Sequence, residues 1–496
     1  MTHFSWLDGG IVGLYLAATM AAGIMVRKYV GKVEHFLIAG REMNLYLGIA
    51  SLAATEFGIV TCMYTAQNGY DKGFAGATPG ILQAVAMLVV GLTGFCVKPL
   101  RDAGVMTIPE LFEQRFGARI RWLSGVVIVL GGLLNMGVFL RKGGDFLVTV
   151  CGFDPRYLVA MMAALLLAVA FYTILGGMLS VLVTDFLQFV VMSVGLIAVT
   201  VLIFRNVGWS TLTATVAEHY GEGGFNPFKN PTMGWEYVLF NALLNLAAVL
   251  TWQTTIQRLL AAKDTRTGQR IYTHTSFFFV CRFLIPAIWG IAALAMLAPG
   301  AVGKDTTLAM PKFLSTFVPM GLMGLLVAAM LAADMSTDSS YMLAWGSVIY
   351  NDIMGPFRKT RWSEQRGILV NRMIIALIGV FLFFFGLWYE LPGDVWTYLG
   401  ITGTIYLSSM SVLLIACCYW KRANSWGAGS AIIIGAMIPV VFLVMEKMKI
   451  PATEAFFAQA KAPYYTGIAS YVGAAVAMVI GSLIKPPSGR PQGEMR

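Results

Sequence analysis

Apolar runs of roughly 20 residues, the length that crosses about 30 Å of hydrocarbon, recur between short polar breaks from Asp8 to the C-terminus. Inside a bilayer every backbone polar group must find its partner within the protein, so a chain patterned this way folds as membrane helices. About thirteen spans are expected, at 8–27, 44–70, 76–98, 119–146, 157–176, 181–205, 235–257, 271–297, 318–349, 368–389, 394–419, 426–446 and 463–484. The expected fold class is therefore all-α integral membrane, with residues 1–496 forming a single transmembrane domain. A composition that is 58% hydrophobic and only 12% charged leaves no stretch suited to a soluble domain. The first span lacks a basic leader and is followed by Arg27 and Lys28, which marks a retained helix and not a cleaved signal.

The formal charge of +10 has a topological reading. With the N-terminus outside and the C-terminus inside, most Lys and Arg fall on inner connections, as the positive-inside rule requires, and nucleic acid is not an expected partner. The expected location is the cell membrane, as a multi-pass protein, with a bacterial inner membrane as the specific case. Cysteines 62, 96, 151, 281, 417 and 418 and histidines 3, 35, 219 and 274 show no metal or disulfide spacing. Neither a phosphate loop nor a nucleophile elbow is present, so no enzymatic activity is expected.

One span is unlike the others. Between Val318 and Ile349 the stretch ADMSTDSS, from Ala333 to Ser340, places two aspartates and four hydroxyls at bilayer depth, where polar groups are costly and usually functional. Ala333, Ser336, Thr337 and Ser340 follow i, i+3, i+4, i+7 spacing and so share one helix face. Hydroxyls and carbonyls are hard oxygen ligands without fixed charge, which suits an alkali ion; the plainer alternative is hydroxyls bonded back to their own helix. Asp334 and Asp338 would repel if both were ionised, and Arg282 in the neighbouring span is the expected partner. Either a packing ion-pair cluster or a proton or cation role fits them.

The connection at 206–234 has five spans before it and five after it once 8–27 is set aside, which fits an inverted repeat of 44–205 and 235–420, with 426–484 supplying two extra helices. Such repeats begin with a helix broken at mid-membrane. Gly48, the run AATEFG from Ala53 to Gly58, and Glu56 at depth all weaken a continuous helix in 44–70. The 235–257 span has no Gly or Pro after Gly234 and shows no break of its own.

The segments HFLIAGREMN (35–44), TIPELFEQRFGARIR (107–121), YTILGGMLSVLVTDFLQ (172–188), IQRLLAAKD (256–264), AADMSTDSS (332–340) and YWKRANSWGAGS (419–430) together resemble the sodium/solute symporters. The resemblance implies the LeuT-type inverted-repeat fold and Na+ as coupling ion. By motif it places a sodium site at Ala54, Phe57, Ala333, Ser336 and Thr337, and a second, inner one at Asp185, Ser336, Ser339 and Ser340. For Asp185 the alternative is an interfacial carboxylate reaching water. Solute contacts by position are Glu56, Gly58, Thr61, Gln83, Asn135, Trp252 and Gln253. Gln83 and Asn135 could equally bond between helices, and Trp252, where relatives often have Asn or Asp, could serve as an aromatic platform or inner gate.

The implied function is sodium-driven import of a small polar organic solute by alternating access. A sodium-independent uniporter or channel, a proton-coupled symporter on the same fold, and a receptor on a transporter scaffold are the alternatives; the short Pro- and Gly-rich tail after Ile484 offers a receptor no signalling module. Arg141 would favour a carboxylate or sugar acid if it faced the cavity, whereas Asp145, four residues on, could simply neutralise it.

Overall fold

The computed structural model describes residues 3–29, 31–358, 362–391, 393–448, 455–457 and 459–485; the polar tail from 486 lies outside the described residues. We label the principal helices α1 (Trp6–Val26), α2 (Leu45–Thr55), α3 (Ile59–Lys72), α4 (Thr78–Thr93), α5 (Ala118–Met136), α6 (Phe139–Cys151), α7 (Leu158–Asn206), α8 (Gly234–Thr251), α9 (Gln253–Ala261), α10 (Thr265–Met296), α11 (Leu322–Val348), α12 (Glu364–Trp388), α13 (Val395–Tyr419), α14 (Ser425–Met448) and α15 (Ala462–Ile484). Among the described residues the architecture is all helical, with one isolated bridge between Met43 and Ala262.

Among the described residues eleven helical stretches are long and apolar enough to cross a membrane, against about thirteen expected from sequence. The difference arises where two expected spans form one continuous stretch. The stretch Pro155–Asn206 has 52 residues, about 78 Å if straight and more than twice the hydrocarbon thickness. It bends at Gly177, whose φ of 53° and ψ of −146° interrupt α7. A Cβ there would lie 2.5 Å from the Phe36 carbonyl, so both the backbone angle and the close approach require glycine. The sequence boundary between 176 and 181 thus coincides with a kink. In 44–70, by contrast, the apolar run divides into the short α2 and the start of α3.

Burial separates centre from periphery. In the apolar windows 89% of residues are buried for α11 and its extension and 83% for α13, but only 17% for α1. Helix α11 packs against α7, α1, α2, α5, α9 and α12. Its start is tied to α1 by Asp8, whose Oδ1 accepts the Gly321 and Gly324 amides at 2.8 and 2.6 Å. A carboxylate meeting free amides at the start of a helix satisfies donors that have no intrahelical partner.

Candidate functional site

Two interrupted helices meet beside α11. The first interruption runs from Glu56 to Gly58, between α2 and α3. Gly58 is extended (φ −102°, ψ 176°), and a Cβ on it would lie 2.9 Å from Thr337 Oγ1. Here the lack of a side chain lets the open backbone touch the hydroxyl face of α11. The second interruption is Trp252 alone, with φ −65° and ψ 117°, between α8 and α9. The sequence showed no break in 235–257, and the structure corrects that reading. Trp252 is held by stacking on Tyr406, with centroids 5.8 Å apart, and by edge contacts with Tyr341 and Trp345 at 5.6 and 6.0 Å. Tertiary packing, absent from any local motif, sets the break.

Glu56 joins the two interruptions. Its Oε1 accepts the Thr254 and Thr255 hydroxyls, each at 3.1 Å, at the start of α9. Its Oε2 faces Arg282 Nη1 at 3.5 Å. Arg282 also donates to Gln83 Oε1 at 3.1 Å and to the Tyr64 hydroxyl at 3.0 Å. The expected pairing of Arg282 with Asp334 and Asp338 is therefore wrong: its charge is met by Glu56. Asp334 instead accepts the Ile59 amide at the start of α3, and Asp334 Oδ2 and Asp338 Oδ1 are buried without partners.

A cavity opens beside this network. Of the seven solute candidates, Glu56, Thr61, Gln83, Asn135 and Trp252 line it, together with Tyr64, Arg282, Tyr341 and Trp396, which sequence reasoning did not select. Gly58 and Gln253 are not among its lining residues. Gln253 is fully buried, and neither amide atom has a partner. Asn135 does bond between helices, donating to the Leu399 carbonyl at 2.9 Å and Thr402 Oγ1 at 3.1 Å, while still lining the cavity. Arg141 is absent from the lining. It pairs with Glu390 at 2.5 Å, and Lys142 pairs with Asp305 at 3.1 Å, so neither is paired with Asp145. Burial raises the Asp305 carboxyl, but the Thr307 hydroxyl and the Lys142 ammonium more than offset it and hold it below the usual range.

Beneath the cavity, the hydroxyl face of α11 presses on the end of α2. Thr337 Oγ1 donates to the Thr55 carbonyl at 2.9 Å, and Ser336 Oγ donates to Asp185 Oδ1 at 2.6 Å. Asp185 is fully buried, so it is no interfacial carboxylate. Its other oxygen accepts Ser51 Oγ at 2.5 Å and Arg258 Nη2 at 3.1 Å. Arg258 lies one residue past the 235–257 span expected from sequence, which left it to an inner connection. The structure puts it wholly inside, with no exposed side-chain surface. Ser339 turns away and donates back to the Ser336 carbonyl at 3.1 Å.

The profile of the sodium:solute symporter family matches residues 36–435. The chain belongs to that family. Among curated relatives it is similar to sodium/glucose cotransporter 4 of Danio rerio, at 27% identity over 88% of this chain and 72% of the relative. It is also similar to the sodium/mannose cotransporter of Bos taurus, at 26% identity over 98% and 87%. A solved structure of a Na+-coupled sialic acid symporter, substrate-bound and outward-open, aligns with a TM-score of 0.79 over 98% of this chain and 99% of that one, at 20% identity, and shows a shared fold. The nucleobase-cation-symport-1 transporter Mhp1 aligns at 0.54 over 92% of this chain and 96% of its own, with 13% identity. The family is one of sodium-coupled transporters, so Na+ is the coupling ion and the protein is a multi-pass membrane symporter, not an enzyme.

Proposed function

We propose that this symporter imports a small polar solute of no net charge, coupled to sodium held by the Ala54, Phe57 and Ala333 carbonyls and the Ser336 and Thr337 hydroxyls. The observation that carries the ion site is the direction of the two hydroxyl protons. Ser336 and Thr337 both donate away, to Asp185 and to the Thr55 carbonyl, so their oxygen lone pairs stay free for a cation beside the broken end of α2. The hydroxyls supply field strength without fixed charge, which lets the ion leave again.

Charge balance supports a neutral solute. The cavity's Arg282 is met by Glu56, and Arg141, which would have favoured a carboxylate or sugar acid, is paired elsewhere. Amide, hydroxyl and aromatic groups from Gln83, Asn135, Thr61, Tyr64, Trp252 and Trp396 then suit a polyhydroxylated molecule. Sugars are the first class to try, because the curated relatives are named for glucose and mannose.

The proposed frame is N-out and C-in, with repeats 44–205 and 235–420 inverted about the two broken helices. Sodium closes α2 and α3 onto α11 and raises solute affinity, and by linkage the solute raises sodium affinity. Each sodium entering at −100 mV contributes roughly 2.3 kcal/mol from voltage alone. The test is a thermal-shift screen of sugars, carboxylates, amino acids and vitamins, with and without sodium, followed by uptake of the hits into proteoliposomes. Sodium-dependent stabilisation by neutral polyols is expected. Uptake that persists undiminished without sodium would replace this reading with a facilitator.

A further inference from the structure

The inner cluster around Asp185 contains a cation already. Arg258 sends Nη2 to Thr55 Oγ1 at 2.7 Å, to Ser340 Oγ at 2.5 Å and to Asp185 Oδ2 at 3.1 Å, while its Nε reaches Ser51 Oγ at 3.1 Å. Its Nη1 is turned to the Thr254 carbonyl at 3.4 Å. Three of the four residues that resemble a second sodium site, Asp185, Ser336 and Ser340, therefore belong to one network containing a guanidinium, and the fourth, Ser339, is bonded back to its own helix.

We propose that Arg258 is the resident cation of this inner site, standing where a second sodium would otherwise bind, so that the symporter couples one sodium per cycle. The inference rests on the sodium-symport reading above and goes beyond it to stoichiometry. Three physical points carry it. Asp185 is the one carboxylate within bonding distance of Arg258 among the described residues, and the pair is neutral; adding a sodium would leave an uncompensated positive charge at bilayer depth. Two of the acceptors a sodium would need, Asp185 Oδ2 and Ser340 Oγ, are already taken by the guanidinium fork. Finally, the guanidinium cannot simply swing aside, because its donors reach α2, α7, α9 and α11 at once and both charged side chains are wholly buried. The main sodium site keeps its independence, since Ser336 donates to Asp185 and offers its lone pairs elsewhere.

The experiment is equilibrium binding of 22Na+ to the purified full chain, with N-methyl-D-glucamine chloride holding ionic strength constant. One sodium per chain, with a Hill coefficient near one, is expected for the wild type. Two sodiums per chain would overturn the proposal while leaving the symport reading intact, whereas no saturable binding would sink both. Arg258→Gln frees Asp185 and should raise the count toward two, and Arg258→Lys, which keeps the charge, should hold it at one. A folded Arg258→Gln that still binds a single sodium would show that the guanidinium is not what excludes the second ion. If that variant does not fold, the paired change Arg258→Gln with Asp185→Asn removes both buried charges together. It should bind no more than one sodium, and a count of two would refute the role given to the ion pair.

Discussion

The two helix interruptions differ in what makes them. Between α2 and α3 the chain opens over three residues, Glu56 to Gly58, and the cause is local: small residues before it, a glycine at its end, and a glutamate that cannot lie quietly in an apolar helix. Between α8 and α9 it opens at one bulky aromatic, and the cause is remote, since Tyr341 and Trp345 of α11 and Tyr406 of α13 form the seat for Trp252. Two helices that meet beside α11 can thus each be broken while the break is encoded in entirely different ways. Glu56, reaching across to Thr254 and Thr255, makes the two depend on each other.

The largest expected effect comes from cutting that bridge. Glu56→Leu leaves the Arg282 guanidinium buried without its counter-charge, a loss of about 3–5 kcal/mol. Thermal unfolding should show it, and removing Arg282 as well should recover much of it; if the double variant is no better than the single, the two breaks are not joined through charge. Next is Trp252→Ala, which should cost about 3 kcal/mol or slightly more and disorder the start of α9, with a smaller loosening passed to Glu56 through Thr254 and Thr255. Hydrogen exchange raised most in α8 and α9 supports a remotely encoded break, and equal loosening at Ala54 to Gly58 would contradict it.

Gly58→Ala should have a smaller effect on stability, about 1–3 kcal/mol, with a larger one on function. The added methyl meets Thr337 Oγ1 at 2.9 Å and pushes the hydroxyl face of α11 off the opened backbone, so the sodium requirement should rise. Smallest for stability is Thr337→Ala, within about 1.5 kcal/mol as expected for one neutral hydrogen bond, while Ser336→Ala, which loses a bond to the Asp185 carboxylate, should cost about 1.5–3 kcal/mol. Both should still raise the sodium concentration needed for half-maximal solute stabilisation by about tenfold, as when one good contact is lost. Unchanged sodium dependence in both variants would remove the main ion site from α11.

What could be read from the sequence divides along the same line. The face of Ala333, Ser336, Thr337 and Ser340, the first break and most spans follow from spacing and composition, which act over a few residues or across a whole helix, while the family follows from a resemblance carried by several separated segments. Trp252 as a break, Arg258 as a buried cation and Glu56 as the partner of Arg282 all depend on side chains dozens to hundreds of residues apart. Arg258 was hidden for a further reason: an arginine just beyond an apolar run is normally an interfacial charge, and only the depth of α9 shows otherwise. Arg141 misled in the opposite direction, because its partner Glu390 is remote in sequence.

Helix α1 lies outside the proposed repeats, yet Asp8 binds it to the first turn of α11 through two amides, and a Cβ on Gly324 would lie 2.7 Å from the Asp8 backbone. Mechanically this is a splint. Any tilt of the helix bearing Ser336 and Thr337 must carry α1 with it, so the least buried of the candidate spans among the described residues becomes an external pointer to movement at the centre. A spectroscopic label on the exposed side of α1 would then register the transport stroke from the lipid face, with no probe placed near the ion or the solute.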